Sequence, residues 1–209
     1  MALKKAKLQA TEEQAVFDKD KRKYKRDFEG LIQALEQGDK NARRWAARDL
    51  AEYGEKAIDP LCNRLYHETD PAVQDAILSS LMEINKPPIG EKLIPLLRSD
   101  DAGLRNKVID ALRAMPELVE LHVNNLIKDE DPDVRIFTIN IIQELRHPMV
   151  PKWLLEVLER DDHINVVGTA LDALAEIATP DMKDKILKVK DRFNDSYIHF
   201  VVDNIIRDL

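Results

Sequence analysis

One rhythm limits what this chain can fold into. An apolar residue recurs at positions 42, 73, 104, 134, 166 and 198, with separations of 31, 31, 30, 32 and 32 residues. From each anchor a stripe follows at offsets +3, +4, +8 and +11. Ala42 leads to Trp45, Ala46, Leu50 and Tyr53; Val73 to Ala76, Ile77, Leu81 and Ile84; Leu104 to Lys107, Val108, Leu112 and Met115. Val134 leads to Phe137, Thr138, Ile142 and Leu145; Val166 to Thr169, Ala170, Leu174 and Ile177; Ile198 to Val201, Val202, Ile206 and Leu209. These offsets share one side of a 3.6-residue helix, so each anchor opens an amphipathic helix of about three turns. A nearly constant period of this length marks units that cannot bury an apolar face alone and must stack.

The starts and stops follow the same period. Asp39, Asp70, Asp101, Asp131 and Asp195 stand three residues before their anchors, where a carboxylate accepts the free N–H groups of a first helical turn. The fifth unit departs by one residue, with Asp162 four before Val166. Pro71 and Pro132 follow two of the caps at the first helical position, where a missing N–H costs nothing. A second apolar stripe precedes each anchored helix, as in Phe28, Leu31, Ile32 and Leu35, or Trp153, Leu154, Val157 and Leu158. Gly54, Pro87 with Pro88, Pro116, Pro148 and Pro180 break the chain after each second helix. Pro60 and Pro95 fall near or inside first helices and are expected to kink them. The expected fold is all-α: a right-handed α-solenoid of about six helical hairpins. Its units are approximately 27–54, 55–86, 87–116, 117–147, 148–179 and 180–209, and a charged helical extension over 1–26 precedes them.

The segment AIDPLCNRLYHETDPAVQDAILSSL from Ala57 to Leu81 resembles the HEAT repeat, in the short form first associated with phycobilisome lyases. DEDPDVRIFTINIIQEL at 129–145 resembles it too, through the aspartate, the proline, the valine anchor and the basic residue after it. Arg43, Arg105 and Arg135 occupy that basic position, whereas Gln74, Val167 and His199 do not match. The resemblance implies an Asp/Arg ladder between neighbouring repeats, here incomplete in the second, fifth and sixth units. It covers residues 27–209 and implies the fold. For function it implies protein binding first, with an accessory lyase-like subunit acting on a chromoprotein as the enzymatic alternative.

Other chemistry finds little support. The five histidines form no H-x₃-H or HExxH pair. HEAT enzymes resembling deoxyhypusine hydroxylase hold two irons with paired His-Glu dipeptides on second helices; this chain has only His67-Glu68, in a first-helix tail. A likeness to alkylpurine DNA glycosylases would need a basic groove with aromatic platforms. Yet residues 1–26 carry nine basic and four acidic side chains, a net of +5, which leaves −12 of the total −7 on the remainder. An acidic body argues against binding nucleic acid. Trp45, at a stripe offset, is read as a core indole. The single cysteine, Cys62, sits in an apolar pattern and is read as a small core residue in a reducing compartment. No apolar run spans a membrane, no signal peptide is apparent, and Ala2 excludes myristoylation, so a cytoplasmic location is expected. The basic run Lys19, Lys21, Arg22, Lys23, Lys25 and Arg26 reads as a solvated leader. No cofactor, metal or catalytic residue is expected.

A partner would meet the second helices, which line the concave side of such an array. Offsets +2, +6 and +9 point away from the core. They place Arg44, Arg48, Met82, Arg113, Ile136, Asn140, Gln143 and Phe200 on the candidate surface, with a mid-array patch at Met82, Arg113, Ile136, Asn140 and Gln143. The last helix is apolar nearly all round (Ile198, Phe200, Val201, Val202, Ile205, Ile206), from which weak self-association through that helix is expected.

Overall fold

The computed structural model describes residues 26–209, and among them every regular element is a helix. Apart from Arg26, the leader expected over 1–26 lies outside the described residues. The chain divides into two compact units between Ile84 and Asn85. Asn85 adopts a left-handed φ of 42°, which asparagine tolerates as a helix terminator.

The first unit holds two hairpins. Helices α1 (Phe28–Gln37) and α2 (Lys40–Leu50) form one; α3 (Ile58–Leu65) and α4 (Pro71–Ile84) form the next, with α2 packed on α4. Leu35, Leu50, Leu61, Leu65, Ile77 and Leu81 are fully buried between them, and Cys62 joins that core as expected. Asp39 and Asp70 cap α2 and α4 by accepting from Ala42 and from Ala72 and Val73; Asp27 does the same for α1. Gly54, at φ 57°, turns the chain where an L side chain would be strained. Pro60 sits in the first turn of α3, where its missing N–H removes no helical bond.

The second unit continues the pattern with less regular first helices. Helix α5 (Pro88–Leu93) gives way at Pro95 to a 3₁₀ stretch, Ile94–Arg98, before α6 (Ala102–Ala114). Two 3₁₀ turns and the one-turn α7 (Val123–Leu126) precede α8 (Pro132–Ile142). Helices α9 (Val150–Arg160) and α10 (Ile164–Ala175) form the fifth hairpin. The short α11 (Lys183–Leu187) and α12 (Val189–Arg192) lead to α13 (Ser196–Asp208). The second helices α6, α8, α10 and α13 pack side by side in chain order. Asp101, Asp131 and Asp195 cap three of them. In the fifth hairpin the cap residue is His163, not Asp162, and its backbone N–H donates to the Asp161 side chain.

Three stripe residues are corrected. Trp45 is 39% exposed, not core. The buried side of α2 is Ala46, Ala47 and Leu50, which puts offset +3 on a flank. In the fourth hairpin that flank meets the preceding one, as Phe137 does beneath the Arg105 guanidinium. Tyr53 and Ile177, both at +11, are exposed because α2 and α10 end before them. Tyr53 packs its ring against Phe28, centroids 5.1 Å apart. The last helix is not apolar all round either. Ile198, Val201, Val202 and Ile205 are buried and Ile206 is half-buried, so Phe200 alone of that set stays well exposed.

The residue after five of the six anchors has a common task. Arg43 donates to the Gly38 carbonyl (3.0 Å), Gln74 to Glu68 (2.8 Å), Arg105 to Ser99 (2.6 Å) and Arg135 to Asp129 (2.6 Å). His199 Nε2 lies 3.0 Å from the Phe193 carbonyl. Each thereby ties its own helix to the carbonyl five or six residues upstream, in the turn between the two helices of the hairpin. Gln74 and His199, which break the basic pattern, keep the contact. Val167 cannot; there Arg192 of the following hairpin donates to the Asp161 carbonyl (2.7 Å) and to Leu158.

Where the residue is arginine, the guanidinium can also reach forward. Arg43 grips Glu68 through Nε (2.8 Å) and Nη2 (3.0 Å), and Arg135 grips Asp161 in the same way (2.6 and 3.1 Å). The ladder acid is therefore not the capping aspartate but the residue two before the cap. Glu68 is buried and also accepts from Arg64 and from the Thr69 and Asp70 backbone N–H groups. Burial acts to raise its pKa, but Arg43, the Asp70 N–H and Arg64 together hold the carboxyl below the usual glutamate value.

Glu68→Gln is expected to lower the unfolding free energy of the first unit by about 2 kcal/mol in urea denaturation, because two half-buried guanidinium groups lose their shared charge partner. A depressed folded-state pKa gives stability that is present above the unfolded value and lost as pH falls through the folded one. The parent should therefore show an acid limb below the usual glutamate range that is diminished in Glu68→Gln.

Candidate functional site

Helical geometry leaves one face of each second helix clear of both flanks. Within each unit, offsets +4 and +8 point inward, +1 and +5 toward the next hairpin, +3 and +7 toward the previous one, and +2, +6 and +9 outward. Of the outward positions only Gly168 is buried. In the first unit Arg44 is half-buried and Arg48 exposed on α2, with Met82 half-buried on α4. The remaining candidates lie in the second unit: Arg113 on α6, Ile136 and Asn140 on α8, Gln143 just beyond its end, and Phe200 on α13. Met82 thus belongs to a different compact unit from the rest of the mid-array patch.

Within the second unit the structure brings several of these residues onto neighbouring helices. Arg113 pairs with Glu144 at 2.7 Å and so joins the end of α6 to the end of α8. Ile136 and Asn140 are half-buried and Gln143 is exposed. Phe200 is separated from Ile136 by α10. Between them, at the same offset, stands Gly168, and the Tyr197 ring covers it; a Cβ on that glycine would lie 3.4 Å from Tyr197 Cε1. The Tyr197 hydroxyl donates to the Asp172 carboxylate, 2.8 and 2.7 Å from its two oxygens. That hydrogen bond, with partial burial and the carboxylate charge, raises the phenol pKa from its usual 10 to about 12. Sequence reading missed this pair. Its available signal was a glycine in mid-helix at an outward position, where a neighbouring ring can lie against the backbone.

Most other charges near the turns pair between hairpins. Lys40–Asp70, Lys128–Glu156, Lys185–Glu159 and Arg192–Asp162 lie at 2.7–2.8 Å, and Arg98 pairs with Asp129. A cleft of about 550 Å³ opens beside the turns of the fourth and fifth hairpins, lined by Lys128, Arg135, Glu156, Arg160, Asp161 and His163 among others. Its walls are the ladder itself: Glu156 receives Lys128 and Arg160, and Arg135 holds Asp161. The Lys128 hydrogen bond outweighs burial and lowers the Glu156 pKa. Trp153, buried as expected, donates to Asn124 (3.0 Å) and stacks on His147. Among the described residues no three His, Cys, Asp or Glu side chains converge as a metal would require.

A family model for HEAT repeats matches residues 28–113 and 119–198. No curated protein matches the sequence. Among solved structures, an engineered protein from the Northeast Structural Genomics Consortium aligns over 85% of this chain and 94% of its own at 20% identity, TM-score 0.42. The complex of CpcE and CpcF of phycocyanin lyase from Nostoc sp. aligns over 87% and 81% at 22% identity, TM-score 0.37. Computationally designed armadillo repeat proteins for modular peptide recognition align over 85% and 97% at 14% identity, TM-score 0.42.

Ultraviolet titration of the tyrosines should show one phenol ionising near pH 12. Asp172→Asn should bring that step back toward 10, and Tyr197→Phe should remove it. A phenol titration unchanged in Asp172→Asn would contradict the geometry.

Proposed function

We propose, from the premise that this chain belongs to the HEAT-repeat family, that it is a non-catalytic scaffold holding a segment of a protein partner along the outward face of its second helices. What carries the reading is the division of labour among side chains. Ladder and capping residues are engaged with turns and neighbouring hairpins. The outward offsets of the second unit instead present a mixed surface of Ile136, Asn140, Gln143 and Phe200, with both hydrogen-bonding and apolar groups. On α8 and just beyond it these offsets (Ile136, Asn140, Gln143) carry no charge, and depletion of charge at the core of a patch is the compositional mark of an interface. An adaptor role in a reducing, cytoplasmic setting accords with the lone buried thiol of Cys62 and with the absence, among the described residues, of any helix long and apolar enough to cross a membrane.

A second copy is the poorer occupant. Stable interfaces bury about 1,200–2,000 Å² in total, and each aromatic side chain supplies about 150–250 Å². On α13 only Tyr197 and Phe200 are large and exposed.

With the full chain as bait in native extract, Ile136→Glu combined with Arg113→Ala should reduce a captured protein at least tenfold. Asn140→Ala with Gln143→Ala, which leaves the apolar packing alone, should reduce it severalfold. Thermal melts check that both pairs remain folded. Capture unchanged in both pairs would overturn this placement.

A further inference from the structure

The aromatic side chains of the second unit sort into two groups. Phe137 lies beneath the Arg105 guanidinium (5.7 Å to the ring centroid), Phe193 beneath Arg192 (5.3 Å), and Trp153 stacks on His147 (5.5 Å). Tyr197 and Phe200 have no such ring or cation partner among the described residues, yet they are the most exposed aromatics there, at 50% and 63%. They stand three residues apart on α13, the spacing that puts side chains next to each other on one helix face. The Tyr197 ring is held against Gly168, and its hydroxyl is fixed on Asp172. That carboxylate is exposed and pairs with no lysine or arginine among the described residues. Glu176, four residues further and also exposed, adds a second negative charge at the end of α10.

We propose that Tyr197, Phe200 and Asp172 form a seat for a cationic side chain, an arginine or lysine, of a basic partner segment. Two ring faces attract a cation through their quadrupoles, and the carboxylate neutralises it while the phenol keeps that carboxylate in place. The charge of the unit fits the same occupant: residues 85–209 carry 17 basic and 23 acidic side chains, a net of −6. The same chain already places arginine over phenylalanine twice inside its own ladder. This inference rests on the scaffold reading and names the chemistry at one point of its surface.

The test is fluorescence anisotropy of a fluorescein-labelled hexa-arginine peptide titrated with the full chain at 150 mM salt. Phe200→Ala and Asp172→Asn are each expected to weaken binding by about two- to fivefold. Phe200→Trp should retain or tighten it. Asp110→Asn, which removes one exposed outward carboxylate of α6 in the same unit, should leave it within twofold. Binding indifferent to Phe200 and Asp172, or weakened equally by Asp110→Asn, would overturn the seat in favour of diffuse attraction. A chain that sediments as a dimer, and as a monomer once Phe200 is changed, would overturn it in favour of a second copy. Partner capture that depends on Ile136 while the arginine peptide ignores Phe200 would refute the seat and leave the scaffold standing.

Discussion

The structure depends on satisfying the carbonyl groups of the turns inside its hairpins. Where a first helix ends and a second begins, the last carbonyls of one and the first N–H groups of the other lack helical partners. The capping aspartates take the N–H groups. In five of the six hairpins the residue after the anchor takes a carbonyl upstream: Arg43, Gln74, Arg105, Arg135 and His199 differ in charge and shape, but each presents an N–H donor of suitable reach. An unpaired buried carbonyl costs about 1–3 kcal/mol, a large fraction of the stability of a small unit. Where Val167 offers no donor, Arg192 supplies one from the next hairpin. The requirement is for a hydrogen bond at that place rather than for a particular residue.

From this constraint follow the joints between hairpins and the surface left over. An arginine that has met its own turn retains donors, and Arg43 and Arg135 extend them to Glu68 and Asp161. A buried carboxylate so gripped is costly to strip of a partner, which makes these pairs points of register between neighbours. The more exposed pairs, such as Arg113–Glu144, contribute far less. The flanks of the second helices are consumed by packing and pairing, and on the outward offsets that remain the chain carries Ile136, Asn140 and Phe200.

The repeat, the caps and the breakers were legible because each rests on local chemistry: an aspartate three before an apolar anchor, a proline after a helix. The ladder acid was not. The resemblance pointed to the aspartates, yet the arginines choose the residue two positions earlier, and Glu68 passed as half of a His-Glu dipeptide. Separation along the chain does not say which of two nearby carboxylates a guanidinium will meet. Trp45 was misplaced because offset +3 is a flank of its helix and not the inward side, which is Ala46, Ala47 and Leu50. Tyr53 and Ile177 were misplaced because a stripe extrapolates past the end of its helix. The contact of Tyr197 with Asp172 and Gly168 joins residues 25 to 29 positions apart and depends on how α10 and α13 pack, which no single stripe records.

A double-mutant cycle on Arg135 and Asp161 tests the linkage between hairpins most directly. Unfolding free energies of Arg135→Met, Asp161→Asn and the pair are compared with the parent. The forward grip of one hairpin on the next predicts a coupling of about 2 kcal/mol. Losses that simply add, within about 0.5 kcal/mol, would show that the two residues stabilise their own turns and do not join neighbouring repeats.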